Sequence, residues 1–342
     1  MAVPALTRVC VLDPEGGIRI EERATPRPAA GQVLVRVASV GICGSDVHYY
    51  RHGRIGAHVV RAPMVLGHEA GGRIVAVGDG VPRSRLGSRV ALEPGVPCGE
   101  CGQCRADRYN LCPDVRFFAT PPIDGAFAEY LLTDAGFAYD VPDSVSDDAA
   151  GLLEPLSVGI WACRKAAVGS GSKVLVSGAG PIGLLVVQVA RTLGAAEIVV
   201  SDIAPDRLAL ARRYGATLVV DARTATAAGV GLEFDCLIEC SGAESALQHG
   251  LPVMAPAGRV VMVGMGTDTL ALPVPLVQNR ELVITGTFRY ANTYPTAIEL
   301  AAAGAVELDA LVTAHYGLAD VAHALEHSSD EGMIKTIIRP AD

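Results

Sequence analysis

Over residues 8 to about 136, apolar and polar positions alternate in short runs, as in VLVRVASV (33–40) and GRIVAVGDG (72–80), and Gly, Pro and Asp cut the runs apart. A period of two puts one face of a strand in a core and the other in water, which predicts a β-rich, loop-rich domain. From about residue 172 the rhythm changes. KVLVSGAG reads as a buried strand entering a turn, PIGLLVVQVARTLG as a helix, EIVVSD as a second strand and PDRLALARRYG as a second helix. FDCLIECSG, GRVVMVGM and ELVITGTF follow as apolar runs rich in Val and Ile. Such runs suit parallel strands covered by helices on both faces. The tail holds helical stretches near 295–303 and 318–327 and a last strand in MIKTIIRP. The expected division is a β domain over 1–155, completed by 290–342, around an α/β doubly wound parallel-sheet domain over 156–289.

The 342 residues are long for a single core, which agrees with two domains. Acidic residues outnumber basic ones by 37 to 28, and the net charge of -9 argues against a nucleic-acid partner, which would call for a basic face. The start, MAVPALTRVC, lacks the pattern of a secretory signal, and the apolar stretch 184–200 is interrupted by Arg191 and Glu197. A cytoplasmic protein with no membrane partner is the expectation. Nine cysteines are then read as metal ligands or free thiols before disulfides.

Gly178, Gly180, Pro181, Ile182 and Gly183 belong to G-A-G-P-I-G between a strand and a helix, where glycines permit a tight turn and close approach of backbone to a pyrophosphate. Asp202 ends the next strand, about 20 residues on, where an acid can accept hydrogen bonds from both ribose hydroxyls. That acid would repel a 2′-phosphate, so the cofactor expected is NAD and not NADP, with Arg207 placed to stack on adenine or soften the preference. The alternative is an ordinary glycine turn with Asp202 as a helix cap.

Cys98, Cys101, Cys104 and Cys112 give C-x2-C-x2-C-x7-C in a Gly- and Pro-containing loop, enough thiolates for one closed, structural tetrahedral zinc. An iron-sulfur cluster fits less well, because its C-x2-C-x2-C-x3-C-P run is missing. Cys43 in GICGSDVH, His68 and Glu69 in GHE, and Glu154 in LLEPL form a dispersed second set. Taken singly, His68 reads as a structural histidine and Glu154 as the acid that begins a helix. Together they are thiolate, imidazole and carboxylate, a mixed set that zinc accepts while keeping a position for water or substrate.

At these residues the chain resembles the zinc-containing medium-chain dehydrogenases, and among them the polyol group typified by sorbitol (L-iditol) and xylitol dehydrogenases. The segments that carry the resemblance are GICGSDVHYY, GHE, the four-cysteine lobe, RYNLC, FFATPPIDG with FAEY, EPLSVG, GAGPIG and TFRYANTYP. It implies a GroES-like catalytic domain around an inserted Rossmann domain. It also implies a catalytic zinc on Cys43, His68 and Glu69, with Glu154 in the shell directly or through water, and a second zinc in the lobe. Ser45 and His48 sit where related enzymes pass a proton from hydroxyl to imidazole, with a turn hydroxyl and a surface histidine as the plain alternatives. Phe288 and Arg289 fall beside the cofactor, and Ser45, Tyr50, Phe117, Thr120, Glu154, Arg289 and Tyr290 at the substrate.

The activity implied is oxidation of a secondary hydroxyl of sorbitol, xylitol or a similar polyol to the ketose, with NAD as hydride acceptor. Its rivals are a zinc dehydrogenase of L-threonine, simple secondary alcohols or L-arabinitol, and a noncatalytic NAD-binding protein. A homo-oligomer is implied, a tetramer ahead of a dimer. Many relatives carry Thr-His-Arg near the C-terminus where this chain reads Thr313-Ala314-His315-Tyr316, so His315 receives no role. Cys10, Cys163, Cys236 and Cys240 lie in apolar contexts that suit buried free thiols.

Overall fold

The computed structural model describes residues 3–266 and 269–341, which divide into two compact units. One comprises the chain up to Glu154 and from Tyr294 onward, and the other is Pro155–Thr293.

The first unit is built mainly on antiparallel strands whose alternating residues fill one core, with Val312–Gly317 and Lys335–Arg339 paired parallel. Its principal sheet has seven strands, and the long strand Gln32–Gly41 lies at its centre between Glu69–Val77 and the C-terminal strand Lys335–Arg339. Val33, Val35, Val37 and Val40 of the central strand are all fully or almost fully buried. A three-stranded sheet containing Leu6–Leu12 contributes Val9, Val11 and Leu12 to the same cluster. The tail returns here: Ile337 pairs with Gly41 and Ile338 with Val40, so the end of the chain borders the segment that leads into Cys43.

The second unit is a six-stranded sheet paired parallel throughout. Its strands run in the order Leu218–Asp221, Glu197–Asp202, Lys173–Ser177, Phe234–Glu239, Met254–Met262, Val283–Gly286. In chain order this is 3-2-1-4-5-6, the doubly wound dinucleotide-binding arrangement, with its switch point beside the first strand. The apolar runs of the sequence are its central strands. Val174, Val176, Val199, Val200, Leu237, Ile238, Val260 and Val261 are all buried, as parallel strands covered on both faces must be.

One difference from the sequence reading concerns Glu154. It does not begin a helix but lies inside the 20-residue helix Asp147–Ala166, which continues through Pro155. The start is set further upstream, where acidic Asp147 and Asp148 occupy the first turn and the Ser146 hydroxyl accepts the Ala149 N–H at 2.9 Å. Pro155 deletes only one backbone donor in a helix that is otherwise apolar and buried on the relevant face. Among the described residues no helix is long and apolar enough to cross a membrane.

Candidate functional site

Cys43 immediately precedes the helix Gly44–His52, and its backbone N–H donates to the carboxylate of Asp46 three residues on, at 3.0 Å. Asp46 is fully buried and its other oxygen accepts the N–H of Gly67 at 3.0 Å, fixing the turn before His68 and Glu69. Gly67 has φ +87° and its Cα faces the Phe127 ring so closely that a Cβ would lie 2.8 Å from it, so only glycine makes this turn. The result is that one thiol, one imidazole and one carboxylate, each from a different position along two segments, have ligand atoms within 4.8 Å of one another.

Electrostatics in this trio is dense. Burial pulls the His68 pKa down, yet Cys43 and Asp46, whose Oδ1 lies 3.8 Å from His68 Nδ1, together raise it well above the usual imidazole value. Glu69 is 1% exposed, one of its oxygens accepts the Lys335 ammonium at 2.6 Å, and Oε2 has no hydrogen-bond partner among the described residues. A buried carboxylate oxygen without a donor is costly unless something outside the protein chain satisfies it. Gly41 leaves the room for it, because a Cβ there would lie 2.0 Å from Oε2. A soft thiolate, an imidazole and a carboxylate at this spacing suit a zinc ion with a position left open, so the residues present fit the metal the sequence implied.

Glu154 stands near this trio but is not part of it. It is buried, and its charge acts on Lys335. The helix bearing it packs closely on strand Glu69–Val77: a Cβ on Gly71 would come 2.8 Å from that of Ala150, and one on Gly151 3.0 Å from the Glu69 carbonyl. Phe117 is buried with its ring 5.8 Å from the His68 ring, which makes it an apolar wall of the site. Thr120 follows it in a turn closed by its own N–H on the Phe117 carbonyl. Ser45 is partly buried in the first turn of the helix after Cys43, whereas His48 is exposed, 5.3 Å from the His52 ring. The Tyr50 hydroxyl is engaged elsewhere, donating to Glu326 at 2.7 Å.

The four lobe cysteines form the second group that could hold a metal, again within 4.8 Å of one another. Three sulfur–sulfur separations are 3.5, 3.6 and 3.9 Å. Four sulfurs bound tetrahedrally at about 2.3 Å from zinc would stand about 3.8 Å apart, so the lobe fits a closed zinc site. Backbone N–H groups of Cys101 and Cys104 point at the sulfurs of Cys98 and Cys101, and the Cys104 N–H in particular brings the Cys101 thiol down to about 7.

In the second unit, the turn after strand Lys173–Ser177 carries Gly178, Gly180, Pro181, Ile182 and Gly183. A Cβ on Gly183 would sit 1.9 Å from the Gly178 carbonyl, while one on Gly180 would meet nothing within 4 Å. Gly183 is demanded by the fold; at Gly180 the missing side chain leaves open space beside the helix N-terminus. Asp202 holds the loop: its carboxylate accepts the N–H of Ala179 at 2.6 Å and that of Ala204 at 2.8 Å. Arg207 lies on the following helix, Pro205–Arg213. Arg289 has φ +54°, a left-handed conformation uncommon for a side-chain-bearing residue, and its guanidinium stacks 4.7 Å over the half-exposed Phe288 ring. Tyr290 is buried.

Two residues that the sequence reading passed over belong to the trio's surroundings. Asp46 stood inside the quoted GICGSDVH segment, where an acid three residues after a helix cap is a capping signal. Lys335 is a single charge inside the apolar run MIKTII, the one signal that it faces inward and pairs there. His315 hydrogen-bonds Asp148 at 2.7 Å on the surface, and Cys10, Cys163 and Cys236 are buried thiols, with Cys240 partly exposed.

Comparison with known proteins follows the two units. Residues 29–143 match the family model of the alcohol dehydrogenase GroES-like domain, and residues 181–303 that of the zinc-binding dehydrogenases. Sorbitol dehydrogenase of Gallus gallus is 41% identical over 99% of this chain and 98% of its own length. Sorbitol dehydrogenase of Bacillus subtilis is 42% identical over 95% of this chain and 94% of its own. The solved structure of L-idonate 5-dehydrogenase from Escherichia coli superposes with a TM-score of 0.92 at 32% identity, covering 98% of both chains.

Proposed function

We propose, from the premise that this chain belongs to the zinc-binding alcohol dehydrogenase family, that it oxidises a secondary hydroxyl of a polyol such as sorbitol or xylitol to the ketose with NAD as hydride acceptor. The observation that carries this reading is the trio Cys43, His68 and Glu69 with the unpartnered Glu69 Oε2. A carboxylate at 154, buried beside the trio, supports a polyhydroxylated substrate and a water-mediated role for Glu154, since it lies outside the group that closes to 4.8 Å.

On this reading the first unit is the catalytic domain and the second carries the cofactor. Cys43, His68 and Glu69 hold the catalytic zinc and Cys98, Cys101, Cys104 and Cys112 a structural one, two per chain. Zinc supplies a Lewis acid that lowers the pKa of a hydroxyl, and NAD supplies the hydride acceptor. Phe117 gives the carbon skeleton an apolar wall and keeps water from the reacting carbon. The Ser45 hydroxyl would accept the substrate's hydroxyl proton as it passes its own to His48, which, exposed, would hand it to solvent. Arg289 and Tyr290 offer donors to distal hydroxyls. Gly180 admits the pyrophosphate, and Asp202, Gly178, Pro181, Ile182, Gly183, Arg207 and Phe288 surround the rest of the dinucleotide. The Asp202 carboxylate is the ground for NAD over NADP, since a 2′-phosphate would meet a like charge. A cytoplasmic homo-oligomer, with a tetramer ahead of a dimer, completes the proposal.

The test is the initial rate of NAD reduction with sorbitol, xylitol, L-arabinitol, L-threonine and 2-propanol on protein of measured zinc content. Activity led by a polyol with about two zincs per chain supports the reading. Activity on threonine or simple alcohols alone would replace the substrate, and none on fully metallated protein would remove the enzyme.

A further inference from the structure

We infer that Lys335 is a positioning residue for the metal site: its buried ammonium takes one oxygen of Glu69 and the carbonyl preceding Cys43, leaving Glu69 Oε2 as the single oxygen presented to the ion. This rests on the reading that Cys43, His68 and Glu69 hold zinc.

Lys335 opens the C-terminal strand and is 4% exposed. Its Nζ donates to Glu69 Oε1 at 2.6 Å and to the Ile42 carbonyl at 2.8 Å. The neighbouring Thr336 carbonyl accepts the Ile42 N–H at 2.9 Å, so both polar groups of the residue before Cys43 are held by this one strand. The ammonium therefore touches two ligand-bearing segments at once.

Charge explains why a cation stands here. Cys43 as thiolate, Glu69, Glu154 and the buried Asp46 would bring four negative charges, and a divalent ion balances two. The Lys335 ammonium, ion-paired with Glu69 Oε1 at 2.6 Å, adds a positive charge among these groups. Glu69 is thereby held at one oxygen and given room at the other: Lys335 restrains Oε1, and Gly41 makes room for Oε2. Without the ammonium the carboxylate is free to swing or to offer both oxygens, and a ligand that must be ordered on binding costs affinity.

The experiment is chelator competition on the zinc-loaded protein, resolving the two metals, for wild type, Lys335→Met, Lys335→Arg, Glu69→Gln and the double variant Lys335→Met/Glu69→Gln. The cobalt-substituted forms add a visible spectrum that reports the ligand geometry. Lys335→Met is expected to hold the catalytic-site metal about 10- to 100-fold more weakly and to change the cobalt bands, with the lobe metal unaffected. Lys335→Arg should recover most of the loss. In the Glu69→Gln background the Lys335→Met change should cost little further, because its effect passes through that carboxylate. Full additivity in the double variant, or an unchanged cobalt spectrum and affinity in Lys335→Met, overturns the inference. Should Lys335→Met not fold, Lys335→Gln, which keeps a donor without the charge, takes its place with the same outcomes. A Cys43→Ser variant that still holds both metals as tightly as the wild type would instead remove the underlying zinc reading.

Discussion

Asp46 accepts the backbone N–H of Gly67 at 3.0 Å with one oxygen while the other accepts that of Cys43 at the same distance, so a single buried side chain sets the spacing of two segments 24 residues apart in the chain. Neither ligand segment holds its shape by secondary structure alone. One is a helix cap and the other a left-handed glycine turn.

Replacing Asp46 by Ala should therefore leave one buried and one partly buried N–H group unpaired and cost on the order of 2 to 5 kcal/mol of stability. Asp46→Asn keeps one acceptor oxygen and should cost less. Chemical denaturation of the three proteins, with zinc content measured in parallel, tests this. An Asp46→Ala variant as stable as the parent with full zinc would show that the two segments are positioned by something else.

The lobe gives a second prediction. Its helix, Gly102–Arg105, has four residues, and the segment from Gly99 to Leu111 has few apolar side chains of its own. Such a segment owes its order to the metal it binds. Removing the lobe zinc with a chelator, or replacing Cys101 by Ser, should expose the segment to proteolysis between residues 98 and 112 while the parallel sheet of the second unit keeps its melting behaviour. Cleavage elsewhere first, or none, would detach the lobe's order from its metal.

The parts of this molecule that are local in sequence were the legible ones. The parallel strands showed as apolar runs because both their faces are buried, and the lobe cysteines showed because fifteen consecutive residues contain all four ligands. The trio showed only as a set of residue types, for Cys43, His68 and Glu69 meet through strand pairing across the first unit. What no local pattern carries is the long-range partner. Tyr50 donates to Glu326, 276 positions away, and Lys335 to Glu69, 266 away. An acid before proline suits a helix start, the plain alternative for Glu154 taken singly. The real start is seven residues earlier, where Asp147, Asp148 and the Ser146 hydroxyl serve the exposed N–H groups.

Glu93 supplies the last prediction, in pH. It is 1% exposed, accepts the Tyr109 hydroxyl at 2.7 Å and the Tyr139 hydroxyl at 3.0 Å, and joins the lobe side of the first unit to the strand Ala138–Asp140. Tyr139 in turn stacks on Tyr294 with ring centroids 5.0 Å apart. Burial raises the Glu93 carboxyl from 4.5 to about 7, the two tyrosine hydrogen bonds offsetting only part of it. The folded value is the higher one, so between these two values the unfolded chain has lost its proton while the folded protein keeps it. Stability from this group is thus complete below about 4.5, falls as pH rises toward 7, and is flat above that. The drop is at most on the order of 3 kcal/mol, since each pKa unit is worth about 1.4 kcal/mol. Glu93→Gln removes the titration while keeping one acceptor, so the difference in unfolding free energy between wild type and variant should move in the variant's favour from pH 5 to pH 8. A difference that stays constant across that interval would mean that Glu93 is ionised in the folded protein throughout, its charge carried by the two tyrosine hydroxyls.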